Sequence, residues 1–198
     1  ILQATFTKMT GFQEQKIKCI DWELATNGYE YRISFVDNIK NKGTYSTYKV
    51  KNSVYNVLIN EIIKYTGEEK QDFIKKMKRE VNIDPEIIVK KILDTSNVVH
   101  CKNREFEDFK QSTKEFKGKY FCVSSEKDKQ AQLLADSLKA HYEKELYRQR
   151  NRIAHNTISY QQNLPNLDIL KSKTDYSRNY FFFFFFLVFI DEIFIELY

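Results

Sequence analysis

An unbroken apolar run near the end of the chain, YFFFFFFLVFI from Tyr180 to Ile190, constrains the fold more than any other feature. The run is shorter than the ~18–20 residues that a bilayer-spanning helix needs, and Asp191 and Glu192 follow it directly. It therefore predicts a core helix over Tyr176–Tyr198 rather than a membrane span. A helix that is apolar on nearly all sides must be covered on nearly all sides, so a partner subunit covering one face is a second interpretation.

Turn-forming residues are scarce along the whole chain. Among 198 residues there are only five glycines and two prolines, too few for the many turns of a sandwich or a barrel. The hydrophobic fraction of 42% and the charged fraction of 30% are typical of a globular domain. We therefore predict an all-α protein, a bundle of about six helices.

Capping residues mark the predicted helix ends from residue 53 onward. Ser53 as N-cap and Gly67 as C-cap bound the first helix, with Val54, Leu58, Ile62 and Tyr65 on its apolar face. Glu68 and Glu69 then open a second helix, because carboxylates are favourable near a helix N-terminus. The other predicted helices cover 84–93, which begins with Asp84 and Pro85, 106–118, 127–154 and 176–198.

The first part of the chain, residues 1–50, is predicted to be an N-terminal extension of a helical domain at 51–198. Residues 1–15 show little periodicity and indicate a tail or linker. Residues 29–50 alternate apolar and polar side chains around the turn signal NKG, which predicts a small β-hairpin. A helix over 22–40 is the alternative, with an apolar face formed by Trp22, Ile33, Val36 and Ile39. Since the chain begins at Ile1, we expect that residues precede it or that the segment has been processed.

The cysteines argue against a disulfide framework and against a zinc site. Cys19, Cys101 and Cys122 are odd in number, and no two of them have C-x-x-C spacing. They are typical of reduced thiols in a cytoplasmic protein. We therefore predict neither a metal ion nor another cofactor.

Positive charge is concentrated in one segment. The chain carries a net charge of +5, and the stretch from Lys139 to His155 has five cations and two carboxylates, a difference of +3. More than half of the excess charge therefore lies in this stretch, which favours a polyanionic partner such as RNA.

The same segment contains YRQRNRIAHNT, from Tyr147 to Thr157. At 100° per residue, a core-facing stripe about 120° wide is formed by Leu134, Leu138, Tyr142, Leu146 and Ile153. A second face, about 60° wide, carries His141, Arg148, Arg152 and His155. Arg150 lies roughly 140° from His155 and nearer the core edge.

Two interpretations of this basic face stay open at this point. Cations are stabilised in the last turn of a helix and Asn156 suits the cap or the turn after it, so a helix end explains the pattern. Alternatively, the imidazole of His155 moves a proton while guanidinium groups hold a phosphate. These are the groups needed for metal-free RNA cleavage, in which a base activates a ribose 2′-hydroxyl and cations stabilise the charge of the transition state.

The stretch RNRIAHN, Arg150–Asn156, resembles the signature of the HEPN superfamily of small helical bundles. That signature is an arginine, often followed by a polar residue such as asparagine, and then a histidine after about four to six intervening residues. Arg150 and Arg148 both have this spacing to His155. The position of the stretch at the end of a long helix, with one apolar helix still to come, also resembles the family's bundle, over about residues 53–198.

The resemblance implies a metal-independent endoribonuclease that cleaves single-stranded RNA. It assigns His155 as the acid–base group, Arg150 as the phosphate ligand and Asn151 as an orienting residue. The residues expected to bind substrate beside them are Arg148, Arg152 and His141.

The resemblance also implies partners and a biological setting. Two motifs form one composite active site in a homodimer, and such proteins serve in bacterial toxin–antitoxin modules and antiviral defence. The expected partners are therefore RNA, a second copy, and an antitoxin or an N-terminal regulatory domain, in the cytoplasm. Many family members are non-catalytic, so a silent dimerisation or binding module is the alternative function.

Overall fold

The computed structural model describes residues 2–38, 43–80, 131–154 and 180–197, together with the single positions 87, 90, 91, 94, 107 and 109. These residues form helices and turns and include no strand, so the predicted all-α fold is confirmed for this part of the chain. In chain order the helices are α1 (Leu2–Asn27), α2 (Tyr29–Asn38), α3 (Tyr48–Thr66), α4 (Lys70–Glu80), α5 (Asp136–Ala154) and α6 (Tyr180–Leu197).

Helix α1 occupies the region for which a tail is predicted. Its buried positions recur every three or four residues and are Phe6, Thr10, Gln13, Ile17, Asp21 and Ala25. Three of these six side chains are polar, which hides the helical period of hydrophobicity. The prediction of a tail over residues 1–15 is therefore wrong, and α1 packs against α3, α5 and α6.

Helix α2 stands where the sequence predicts a β-hairpin, so the hairpin is wrong. One residue, Gly28, separates it from α1. Tyr31 and Phe35 are four positions apart and therefore lie on the same side of the helix. Tyr31 donates a hydrogen bond to Asp21 of α1, and the buried ring of Phe35 packs edge-on against Trp22 at a centroid distance of 5.9 Å. These contacts with α1 stabilise a helix where the local alternation favours a strand.

The alternative helix over 22–40 is closer to the structure, but its expected buried face is wrong. The side chains of Trp22, Ile33 and Val36 are 61%, 52% and 62% exposed. Tyr31 and Phe35 take the inward side of α2 instead. These three apolar residues thus lie on the surface, because the contacts of α1 with α2 decide the orientation of this short helix.

Helix α3 has one predicted cap and one unpredicted cap. Thr47 is its N-cap, so the predicted cap Ser53 is wrong and lies inside the helix. The C-terminal prediction is confirmed, because Gly67 has a left-handed φ of 70° and its N–H donates to the Ile63 carbonyl at 2.9 Å. The predicted apolar face holds at Val54, Leu58 and the half-buried Ile62, whereas Tyr65 is 94% exposed. After the cap, Glu69 accepts the first hydrogen bonds of α4, in agreement with the predicted start.

Helix α5 contains one wider turn. It consists of Asp136–His141, a π-helical turn at Tyr142–Leu146, and Tyr147–Ala154. Residues 131–135 are not helical, so the predicted start of this helix near residue 127 is wrong for these five residues. The predicted core stripe is confirmed, with Leu134, Leu138, Tyr142 and Leu146 buried and Ile153 half-buried against the core.

Helix α6 is the centre of the core, as its composition predicts. Its buried residues are Phe181 to Leu187, Phe189, Ile190, Ile193, Phe194 and Leu197. Rings of the other helices contact it on several sides: Phe6 packs on Phe183, Tyr55 on Phe194 and Tyr142 on Phe186. Most of the apolar surface of α6 is therefore covered within one chain. Among the described helices, none has the length and apolar character that crossing a membrane requires.

Several predicted elements fall mostly or wholly outside the described residues. The predicted helix 84–93 is described only at Ile87, Lys90 and Lys91, which are helical, and the predicted helix 106–118 only at Glu107 and Phe109, of which Phe109 is buried. Cys101, Cys122 and Ile39 lie outside the described part, so what the sequence indicates for them stays a prediction. The division of the chain at residue 50 also stays a prediction.

Candidate functional site

The predicted site residues that the structure describes lie on α5, His141 in its first half and the others in its second half. Helix α5 is described up to Ala154, the residue directly before His155. His155 itself lies outside the described residues, so its role as acid–base group stays a prediction. The structure gives positions for the five other predicted residues, which it separates into three groups.

The first group lines an open surface groove of about 580 Å³, which we call the basic groove. Its lining residues are Glu143, Lys144, Glu145, Tyr147, Arg148, Asn151 and Arg152. Three cations therefore stand against two carboxylates, and the side chain of Arg148 is exposed. The sequence predicts that Arg148 and Arg152 share one face of the helix, and their common groove agrees with that prediction.

Arg150 forms the second group by itself and turns toward α1. Its Nε atom donates to Glu14 Oε1 at 3.1 Å, and Nη2 donates to Glu14 Oε2 at 3.2 Å. Its third nitrogen, Nη1, donates to Asn151 Oδ1 at 3.1 Å. Each side chain of the ion pair is 20% exposed. The guanidinium that the family resemblance assigns to phosphate is thus held by a carboxylate of the same chain.

His141 forms the third group and packs against α6. Its ring is half-buried and meets Phe182 edge-on at a centroid distance of 5.9 Å. The residues that line the basic groove begin at Glu143, and His141 is not one of them. Its predicted contact with substrate therefore has no support in the described geometry.

A buried polar network lies directly behind the ion pair. Lys51 of α3 is 1% exposed, and its ammonium group donates a hydrogen bond to Gln13 Oε1. Gln13 Nε2 in turn donates to the Leu187 carbonyl at 2.7 Å and to Asp191 Oδ1 at 3.1 Å. Asp191 also pairs with Lys16, whose Nζ lies 2.7 Å from Oδ2. The network joins α1, α3 and α6 in the part of the core next to Arg150.

The surroundings of Lys51 disfavour its charged form. Burial lowers the pKa of its ammonium group to about 7, against the opposing influence of the carboxylates of Glu14 and Asp191, and the Arg150 guanidinium lowers it further. Tyr142 lies beside it, with its ring centroid 5.8 Å from Lys51 Nζ. Burial and Glu14 raise the pKa of the Tyr142 hydroxyl, which donates to the Ser46 carbonyl at 2.8 Å. A cavity of about 10 Å³ between these groups is on the scale of a single water molecule.

A second buried carboxylate joins α1 to α2 and to the turn before α3. Asp21 is fully buried and accepts hydrogen bonds from Tyr31 at 2.5 Å and from Tyr45 at 2.6 Å. Burial, together with the Asp21 carboxylate, raises the pKa of both tyrosine hydroxyls. Because both tyrosines thereby remain protonated donors, the arrangement is suited to holding the helices together.

Sequence reasoning missed Glu14, Gln13 and Lys51 as neighbours of the site. A weak signal exists for Lys51, since it lies three residues after Tyr48 and four before Tyr55 on the buried stripe of α3. A polar residue at a core position indicates a buried partner, but it does not identify that partner.

Comparison with known proteins adds no relative to this description. No protein-family model, no curated protein sequence and no solved structure matches the chain. Within the described ranges, no group of three or more His, Cys, Asp or Glu side chains has the arrangement of a metal site.

Proposed function

We propose that the protein is a metal-independent endoribonuclease of the HEPN type that cleaves single-stranded RNA. The observation that carries this proposal is the basic groove, in which Arg148, Asn151 and Arg152 lie together on the last turns of α5. His155 follows Ala154, the last described residue of this helix. An RNA backbone bound in the groove would therefore lie beside the last turns of α5, and the expected acid–base residue directly follows this helix segment in the sequence.

The proposed chemistry needs a proton acceptor and a source of positive charge. His155 takes the proton of a ribose 2′-hydroxyl, whose oxygen attacks the adjacent phosphorus and displaces the 5′-oxygen. Arg148 and Arg152 neutralise the phosphate, since guanidinium groups bind phosphate oxygens in pairs. The products are a 2′,3′-cyclic phosphate and a 5′-hydroxyl. A second histidine, from a second copy in the composite site that the family resemblance implies, supplies the proton to the leaving oxygen.

Arg150 has a different place in this proposal. Its guanidinium donates to Glu14 and Asn151, so it supports α5 in the described arrangement. We therefore assign phosphate binding to Arg148 and Arg152 first. Arg150 joins them only where substrate replaces Glu14 as its partner. A setting in bacterial defence or in a toxin–antitoxin module, and a cytoplasmic location, accompany the proposal as implications of the family resemblance.

The Arg150–Glu14 ion pair favours a second candidate function. A guanidinium that is only 20% exposed and donates two hydrogen bonds to Glu14 is suited to fixing α5 against α1. In that case the chain is a catalytically silent module for dimerisation or partner binding. His155→Ala then alters stability or association, with no cleavage to lose.

The test is cleavage of a single-stranded RNA in EDTA, with analysis of the product ends. Wild type is expected to produce 2′,3′-cyclic phosphate ends, His155→Ala no product, and Arg148→Gln/Arg152→Gln little product. Lys18→Gln is the matched control, because Lys18 is an exposed cation on α1 outside the basic groove. Circular dichroism establishes that each variant is folded. Absence of cleavage by folded wild type, or cleavage that needs metal and ignores His155, would contradict the proposal.

A further inference from the structure

One edge of the Arg150 guanidinium is occupied by a carboxylate. Nε and Nη2 donate to the two oxygens of Glu14 at 3.1 and 3.2 Å. The guanidinium group is planar, so two hydrogen bonds on one edge also fix the direction of its remaining nitrogen. That nitrogen, Nη1, donates to Asn151 Oδ1 at 3.1 Å. Glu14, Arg150 and Asn151 therefore form one hydrogen-bonded chain from α1 to α5.

This chain determines which end of the Asn151 amide is engaged. The carbonyl oxygen of an asparagine side chain only accepts hydrogen bonds, and its amide nitrogen only donates them. The reverse orientation would place the amide nitrogen against the Nη1–H groups of Arg150, donor against donor. Oδ1 therefore faces Arg150, and no described residue accepts a hydrogen bond from Nδ2. Since Asn151 also lines the basic groove, Nδ2 is available there as a donor.

The nearest neighbours of Asn151 in the basic groove are donors as well. Arg148 lies three positions before it and Arg152 one position after it, and all three residues line the groove. Guanidinium and amide N–H groups both suit the oxygens of a phosphate. The carboxylates of the groove, Glu143 and Glu145, belong to the preceding turn of α5. The end of the groove at Asn151 thus presents three donors to an anion.

The ion pair that fixes this chain is backed by the core. Glu14 and Arg150 line a small cavity together with Lys51 and Tyr142, each of which is 1% exposed. The side chains of the ion pair are themselves only 20% exposed, whereas a pair at the surface is screened by solvent and held loosely. Glu14 is thus suited to holding Arg150 and Asn151 in one arrangement before substrate binds.

We infer that Glu14 is a positioning residue of the proposed nuclease. Acting through Arg150, it fixes the Asn151 amide so that Nδ2 donates to a non-bridging oxygen of the RNA phosphate that Arg148 and Arg152 neutralise. This role rests on the proposed function and deepens it, because it names the neutral donor that meets the phosphate and the α1 residue that holds this donor. Glu14 is therefore part of the site, and not a competitor that the phosphate displaces from Arg150.

The sign of the effect of Glu14→Gln separates these two roles. Glutamine keeps the length of the side chain, but its amide nitrogen cannot accept, so one of the two hydrogen bonds to the edge of Arg150 is lost. In a positioning role, kcat/KM for single-stranded RNA in EDTA falls by about fivefold, although a negative charge near the groove is removed. Asn151→Ala lacks the donor itself and is expected to lower kcat/KM by about tenfold. If Glu14 instead competes with phosphate, Glu14→Gln raises kcat/KM, and the inference is overturned.

The double variant Glu14→Gln/Asn151→Ala shows whether Glu14 acts through Asn151. If it does, the second substitution has nothing left to disturb, and the double variant cleaves as slowly as Asn151→Ala, within about twofold. Independent effects would instead multiply to about fiftyfold, which would also contradict the inference.

Two matched controls separate positioning from loss of charge and from loss of stability. Glu61→Gln removes a carboxylate that lies 2.8 Å from Lys64 on α3, outside the basic groove. Gly67→Ala destabilises the end of α3 through its backbone. Both are expected to keep the kcat/KM of wild type, and a fall as large as that of Glu14→Gln in either control would refute the positioning role. Salt at about 0.3 M screens the long-range effect of a changed net charge, and circular dichroism establishes that each variant is folded at the assay temperature.

Binding of a 2′-O-methyl RNA, which lacks the attacking hydroxyl, keeps this test distinct from the test of the nuclease. Fluorescence anisotropy is expected to show weaker binding by Glu14→Gln and by Asn151→Ala, with no further loss in the double variant. Cleavage by wild type, with unchanged kcat/KM and affinity in Glu14→Gln, overturns the positioning role and leaves the nuclease standing. Binding that follows the expected pattern without any cleavage contradicts the nuclease and supports the contact of Asn151 with phosphate. A wild type that neither binds nor cleaves RNA overturns both.

Discussion

Replacement of Lys51 by methionine tests the buried network behind the Arg150–Glu14 ion pair. The folded protein holds Lys51 with a pKa of about 7, whereas the ordinary value is 10.5. Between these values the unfolded chain binds the proton and the folded chain does not. The free energy of unfolding of wild type therefore rises with pH in this window, and below about pH 6 the contribution of Lys51 is constant because both states are protonated.

The magnitude follows from proton linkage. One proton contributes at most about 1.4 kcal/mol per pH unit, so the gain of wild type between pH 7 and pH 9 is about 2 kcal/mol. Lys51→Met has no proton to release and lacks this gain. At pH 7 the free energies of unfolding of the two proteins differ for two reasons. Lys51→Met no longer buries a charge, which is favourable, and it loses the donor to Gln13, which costs about 1–3 kcal/mol. Only the way in which this difference in free energy of unfolding changes with pH reports on the protonation of Lys51.

The assay is urea unfolding of both proteins at intervals from pH 6 to pH 9. The upper limit avoids Tyr31 and Tyr45, whose raised pKa values give a contribution with the opposite sign. This tyrosine contribution to the free energy of unfolding is fully present below their unfolded pKa of about 10 and is lost at higher pH. Lys49→Met, two residues away on α3 and exposed, is the control and should follow wild type. A difference between wild type and Lys51→Met that stays constant within about 0.5 kcal/mol would refute the reasoning.

The remaining predictions concern one helix cap and the ion pair of the site. Gly67→Ala is expected to lower the free energy of unfolding by about 1 kcal/mol, since φ is 70° there, whereas Gly11→Ala, inside α1 with no atom near the added Cβ, should raise it by about as much. Urea unfolding measures both, and equal effects of the two substitutions would contradict the backbone argument. Glu14→Gln leaves the guanidinium of Arg150 without its carboxylate and should cost about 1–3 kcal/mol, measured as a lower Tm. Asp72→Asn, in an exposed pair, should change stability by less than about 0.5 kcal/mol, and similar losses in the two variants would show that the Glu14 pair is no stronger than a surface pair.

The part of the fold that is predictable from sequence rests on strong local signals. The apolar run of α6 identifies the central helix because a long apolar segment has to be covered by the rest of the chain. The stripe that contains Leu138, Tyr142 and Leu146 identifies the inward face of α5, and Gly67 marks the end of α3. The helical wheel also separates Arg150 from Arg148 and Arg152, as the structure does.

Local signals fail where buried positions carry polar side chains. Residues 1–15, which form the first half of α1, are predicted as a tail or linker because Thr10 and Gln13 interrupt the apolar stripe. In α2 the alternation of side chains indicates a strand, but Tyr31 and Phe35 contact α1 from a helix. Contacts with other elements decide both cases, and such contacts are invisible in a local window of sequence.

The sequence by itself determined an all-α chain built around α6 and a helix whose two sides carry different arginines. Only the tertiary structure decided what those arginines and Lys51 meet. Arg150 and Glu14 are 136 residues apart, and Gln13 and Asp191 are 178 residues apart. A polar group can be buried only when partners satisfy it. Those partners come from distant parts of the chain, so the network exists only once α1, α3, α5 and α6 are packed together.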